Sequence, residues 1–191
     1  MRDLITRRFQ ESMQAAQKSL DIFAPLIERV VAETCSRLRR GGTVYFFGNG
    51  GSAADALHFV GEFTGRFLYD RPPLRAAALE PNLSSLTAIG NDYSYEDVFA
   101  RPLAALGRPE DVAFGLTTSG NSPNVLKAMQ TAASIGMFRV GMTGGSGGRL
   151  PANSDVCFIV PVKDTPRVQE VHGLVGHVIC ELVEREMFPK P

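Results

Sequence analysis

Twenty Lys and Arg are matched by twenty Asp and Glu over 191 residues, so no net charge is left to attract a polyanion. A nucleic-acid partner is therefore disfavoured. Only three cysteines occur, Cys35, Cys157 and Cys180, far apart and with no C-x-x-C pair. That pattern reads as reduced core thiols in a cytoplasmic protein rather than a disulfide frame. No apolar stretch reaches about 18 residues and no signal peptide is seen, so the expectation is a soluble chain with no membrane partner. Neither a fixed-period repeat nor a low-complexity linker divides the sequence. One domain over residues 1–191, with a core of its own, is expected.

Apolar residues recur at helical spacing over 4–20 and again from Pro25, well suited to a helix start, to residue 40 before Gly41-Gly42. Two helices over residues 1–41 thus precede an α/β core over 42–191. Short β-rich runs follow at 43–47, 75–79, 111–116, 138–142 and 156–162. Helical stretches alternate with them at 52–64, 83–89, 95–106, 123–135 and 166–187. Because the strands are mostly apolar without alternation, both faces should be buried, which predicts a five-stranded parallel sheet in a three-layer α/β/α sandwich. Ligands of such sheets sit beyond the carboxyl ends of the strands.

Two connections fall there. Gly48-Asn49-Gly50-Gly51-Ser52 and Thr117-Thr118-Ser119-Gly120-Asn121-Ser122 each leave a strand and open a helix. Backbone N–H groups and the positive end of a helix dipole then face one spot, and phosphate is the expected guest. The spacing is neither G-x-G-x-x-G nor a P-loop with its Lys, so dinucleotides and nucleoside triphosphates fit poorly. Ser52 can cap the following helix or donate to a phosphate oxygen. In the second loop Thr117, Thr118, Ser119 and Ser122 place four hydroxyls within six residues, more than capping requires.

His58 and Glu62 are four residues apart, so a helix puts them on one face. Such a pair is usually a surface pair, but this one follows the first loop directly and so lies at the ligand end of the sheet. Asn91 and Asp92, after Gly90, read either as a turn with an Asx side chain on its own backbone or as ligand contacts. Arg66 could meet a phosphate or simply cover the surface.

Taken together, GNGGS, the run HFVGEFTGRF from His58 to Phe67, GND at Gly90 to Asp92, TTSGNS, and RVQEVH from Arg167 to His172 ahead of His177 resemble the sugar isomerase (SIS) domain family. Nearly the full length is similar to its phosphoheptose isomerase branch. The resemblance implies a flavodoxin-like SIS fold and a cytoplasmic homotetramer with active sites at subunit interfaces, the N-terminal helices packing in the oligomer. It also implies one zinc per site held by His58, Glu62, Gln169 and His177, with Glu62 and His177 as the catalytic acid/base pair. Substrate contacts implied are Asn49, Gly50, Gly51, Ser52, Glu62, Asn91, Asp92, Thr117, Thr118, Ser119, Ser122 and Gln169. The implied reaction converts sedoheptulose 7-phosphate to D-glycero-D-manno-heptose 7-phosphate through an enediol, the first step toward activated bacterial heptose. Some relatives of this fold are instead non-enzymatic tetramers that bind the bacterial replication initiator, and they lack parts of the catalytic set that is complete here.

Helix geometry strains that ligand set. Eight residues separate Gln169 from His177, which is a rise of about 12 Å and a turn of about 80°, so either both side chains stretch or neighbouring subunits share the site. His172 is turned about 140° from His177 and reads as structural. Ala53-Ala54, where relatives carry polar residues, and the uncharged connection 144–148 bear on substrate preference or loop order rather than on the reaction class.

Overall fold

The computed structural model describes residues 1–79 and 82–190; positions 80, 81 and 191 of the expected domain lie outside the described residues. The chain runs α1 (Arg2–Arg39), β1 (Val44–Gly48), α2 (Gly51–Thr64), β2 (Ala76–Ala78), α3 (Leu83–Asp92), α4 (Ala100–Leu106), β3 (Val112–Leu116), α5 (Pro123–Ile135), β4 (Phe138–Gly144), β5 (Val156–Val160) and α6 (Thr165–Met187). All five strands pair in parallel in the order β2-β1-β3-β4-β5.

Every residue of β1 and β3 is buried, as a sheet covered on both faces requires. Alternation along β1 splits the core in two. Val44 and Phe46 join an apolar cluster with Phe23 of α1, Phe59 of α2 and Val175 of α6. Tyr45 and Phe47 point the other way and join Leu103 of α4 and Met129 of α5. Across the first face the rings of Phe46 and Phe114 stack with centroids 4.8 Å apart.

The strand order places the site. Connections from β1 run outward to β2 on one side, those from β3 to β4 on the other, so the crevice opens between β1 and β3. Gly48 pairs with Leu116 at the carboxyl ends of these strands, so the two Gly- and Ser-rich loops leave the sheet side by side.

Three local expectations differ from the structure. The helices read at 4–20 and 25–40 are one continuous helix, α1, with Pro25 inside it. Proline cannot donate to the carbonyl four residues back, but Asp21 and Pro25 both lie on the exposed side, where solvent can serve that carbonyl. The stretch 95–106 is a 3-10 turn, Tyr95–Asp97, followed by α4. Pro102 fits the first turn of α4, whose N–H groups need no intrahelical partner, and would break a helix begun at Tyr95. Gly90, Asn91 and Asp92 form the last turn of α3 rather than a separate turn.

Candidate active site

The first loop can approach α6 closely because it is glycine. Gly50 has φ +57° and precedes α2, and a Cβ on Gly51 would stand 2.3 Å from Gln169 Nε2. Gln169 therefore lies with its amide against this loop. The loops are braced to each other by amides: Asn49 Nδ2 donates to Asn124 Oδ1 at 2.9 Å and Asn124 Nδ2 returns a bond to Asn49 Oδ1 at 2.8 Å. Tyr95 also donates to Asn49 Oδ1, at 3.1 Å. The Asn49 side chain is thus engaged in joining the two loops.

In the second loop the hydroxyls bond one another. Thr117 Oγ1 lies 2.8 Å from Ser122 Oγ and 3.3 Å from Ser119 Oγ, and the Asn121 amide donates to Ser119 Oγ. Among the described residues Ser122 makes no side-chain cap to α5, so its hydroxyl is not occupied by capping. Gly120, at φ +67°, is pressed so closely on Gly147 that a Cβ would meet that carbonyl oxygen at 1.9 Å. Ser52 and Thr117 are buried, Thr118 and Ser122 half-buried, and Ser119 exposed.

Further along α2 and α6 three groups converge. His58 Nε2 is 2.7 Å from His177 Nε2 and 3.5 Å from Glu62 Oε1, and one ligand atom of each residue lies within 4.8 Å of the others. One chain supplies all three. Gly176 allows this approach, since a Cβ there would fall 2.1 Å from the Phe59 ring. The His177 ring meets His58 edge-on, with centroids 5.0 Å apart, and lies 5.7 Å from the Phe67 ring. Two imidazole nitrogens and a carboxylate oxygen are a donor set that fits a borderline-soft divalent ion, and three protein ligands leave a position for substrate oxygen.

Asp55 belongs to this neighbourhood and was missed in the sequence. It sits one turn before His58, and its Oδ2 is buried without a hydrogen-bond partner among the described residues. Burial raises its pKa, while His58 and His177 pull it back. Its spacing of three from His58 was the available signal. Asn91 and Asp92 are exposed at the end of α3, bonded to each other from Asn91 Nδ2 to Asp92 Oδ1 at 2.8 Å, and Arg66 is exposed just beyond α2. His172 is fully buried and lies 3.2 Å, through Nε2, from the Thr143 carbonyl oxygen. Burial pushes its pKa down to about 4, with the carbonyl bond partly opposing, so this imidazole is neutral at physiological pH.

The SIS domain family model matches residues 8–144. The phosphoheptose isomerase of Helicobacter pylori (strain P12) is 45% identical over 188 residues, 98% of each chain. That of Burkholderia pseudomallei (strain K96243) is 50% identical over 163 residues, 85% of this chain and 83% of the other. Among solved structures, a phosphoheptose isomerase from Neisseria gonorrhoeae aligns with a TM-score of 0.91 at 38% identity, covering 96% of this chain and 98% of that one. The match in sequence, length and fold leaves one assignment: the chain belongs to the SIS domain family and, within it, to the phosphoheptose isomerases.

Proposed function

We propose that this protein interconverts sedoheptulose 7-phosphate and D-glycero-D-manno-heptose 7-phosphate, with Glu62 and His177 moving the protons. The observation that carries the reading is the convergence of Glu62, His58 and His177 from α2 and α6, the helices that meet the Gly-rich first loop, which is braced to the hydroxyl-rich second one. Glu62 takes the proton from C1 of the ketose and delivers it to C2. His177 donates a proton to O2 and takes one from O1, so the enediol forms and collapses with its protons balanced. Positioned acid/base groups of this kind contribute about 10² to 10⁴-fold each. The phosphate is gripped by Ser52, Thr118, Ser119 and Ser122 at the starts of α2 and α5, and this remote binding holds the reacting carbons in place. Asn91 and Asp92 are the candidate contacts to sugar hydroxyls.

His58, Glu62 and His177 would hold zinc, with Gln169 of a neighbouring subunit the candidate fourth ligand, since within one chain this amide lies against Gly51; bound there, the ion supplies Lewis-acid stabilisation of charge on the sugar oxygens. A homotetramer with active sites at its interfaces is part of the proposal. Exposed Leu4, Ile5, Phe9 and Met13 on α1, and a groove of about 340 Å³ between α1 and α6 lined by Phe23, Ile27, Leu174 and Leu182, support burial against further copies. The free thiols of Cys35, Cys157 and Cys180 support work in the reducing cytoplasm. Among the described residues no helix is long and apolar enough to cross a membrane.

The test is turnover of sedoheptulose 7-phosphate by wild type, Glu62→Gln and His177→Gln, followed by appearance of the aldose. Each variant should lose at least about 10²-fold in kcat. Equal turnover in all three would defeat the acid/base assignment.

A further inference from the structure

We propose that a buried ion pair, Arg71 with Glu184, is a positioning device that sets the reach of Glu62 and His177 toward each other. Glu184 lies on α6 seven residues after His177, two helical turns along the same face. It is fully buried. Its carboxylate accepts from the Phe67 amide at 2.8 Å, the Leu68 amide at 2.7 Å and Arg71 Nε at 3.1 Å. Burial pushes this carboxyl up, but the Leu68 and Phe67 amides and the Arg71 guanidinium outweigh it and hold the group below the usual carboxylate range.

Arg71 is almost as buried and reaches the other helix. Its Nη2 donates to the backbone carbonyl of Glu62 at 2.7 Å, and its Nη1 to the carbonyl of Phe63 at 2.7 Å and that of Gly65 at 3.2 Å. These carbonyls end α2, where intrahelical partners run out and a cation complements the helix dipole. The guanidinium therefore pins the turn that carries Glu62. Phe67, whose amide is held by Glu184, lays its ring on His177. One ion pair thus fixes the end of α2, the ring beside His177, and α6 itself.

Stability alone does not account for this arrangement, because an apolar pair of similar volume often serves a core equally well or better. The polar reach of the pair goes to the backbone of a catalytic candidate and of its neighbour. The phosphate loops, by contrast, meet α2 and α6 at their other ends, through Ser52 and Gln169. Losing the pair should consequently disturb proton transfer and metal binding while leaving the phosphate grip intact.

The assignment rests on the isomerase reading above and is tested with Glu184→Gln and Arg71→Lys, which keep volume and part of the bonding. Each is measured for kcat and KM on sedoheptulose 7-phosphate, for Zn²⁺ affinity by chelator competition, and for thermal unfolding. Asp155→Asn, which breaks the Arg139–Asp155 pair at the opposite end of β4 and β5, is the stability control. Expected are a loss in kcat and in Zn²⁺ affinity of about 10 to 100-fold each, with KM within about twofold, and neither loss in the control. A lowered melting temperature with kcat and Zn²⁺ affinity unchanged would overturn the assignment, as would a rise in KM alone. An inactive wild type would instead sink the isomerase reading, and the Zn²⁺ titration would still decide whether the pair positions the cluster.

Discussion

Gly176→Ala probes how tightly the site depends on the distance between α2 and α6. The new methyl would sit 2.1 Å from Cε1 and Cζ of Phe59, whereas carbon atoms rest about 3.5–4.0 Å apart. Phe59 is fully buried, with the Phe46 ring 5.8 Å away, so the ring has little room to yield. The helices must part by about 1.5 Å to restore contact distance. His58 and His177 are the immediate chain neighbours of Phe59 and Gly176, and their 2.7 Å nitrogen separation would open by a comparable amount. Overpacking of this kind costs about 1–3 kcal/mol, a drop of about 3–10 °C in Tm for a chain of this size. A displacement near 1 Å at the chemistry costs about 10²-fold in rate. Zn²⁺ affinity by chelator competition should fall in parallel. Gly173→Ala is the matched control: it lies on the same helix, its added methyl meets nothing within 4 Å, and it should stabilise by about 0.5–1 kcal/mol through helix propensity. A folded Gly176→Ala protein with native Zn²⁺ affinity and turnover would refute the claim that this glycine sets the spacing.

Two further outcomes are expected. The His172 pKa is about 4 when folded against 6.5 when exposed, so on acidification the unfolded chain takes up a proton that the native state refuses. Stability is full above pH 6.5 and declines between 6.5 and 4, by about 3 kcal/mol in all; urea unfolding from pH 7.5 to 4.5 should show the slope, and His172→Gln should flatten it, an unchanged slope excluding this histidine as its source. Phe9→Glu combined with Met13→Glu, both on the exposed apolar stretch of α1, should lower the sedimenting mass toward one chain, and an unaltered oligomer would place the subunit contact elsewhere.

Much of the architecture was legible because the signals are local. Runs such as Val44–Gly48 and Val112–Leu116 are apolar throughout, and a strand buried on both faces shows that pattern wherever it lies in the chain. Glycine and hydroxyl-rich turns marked the crevice for the same reason, since φ > 0 and helix starts constrain residue type at fixed offsets. His58 and Glu62 shared a face by spacing alone. Local signals failed where burial direction decided the outcome, as at Pro25, which the helix tolerates because it faces outward.

The assembly of the site was settled at longer range. Helical spacing put Gln169 and His177 on one helix, but only packing sends the first to Gly51 and brings the second to His58, through the contact of Gly176 with Phe59. Asn49 offered a polar side chain to a ligand in the sequence, and the fold engages it with Asn124, 75 residues away. Arg71 and Glu184, 113 residues apart, carry no pattern in common. Residue type and periodicity are properties of neighbours along the chain, so they set strands, helices and turns. Distances between side chains on different helices arise only when the cores on the two faces of the sheet are packed, and the proposed chemistry depends on those distances.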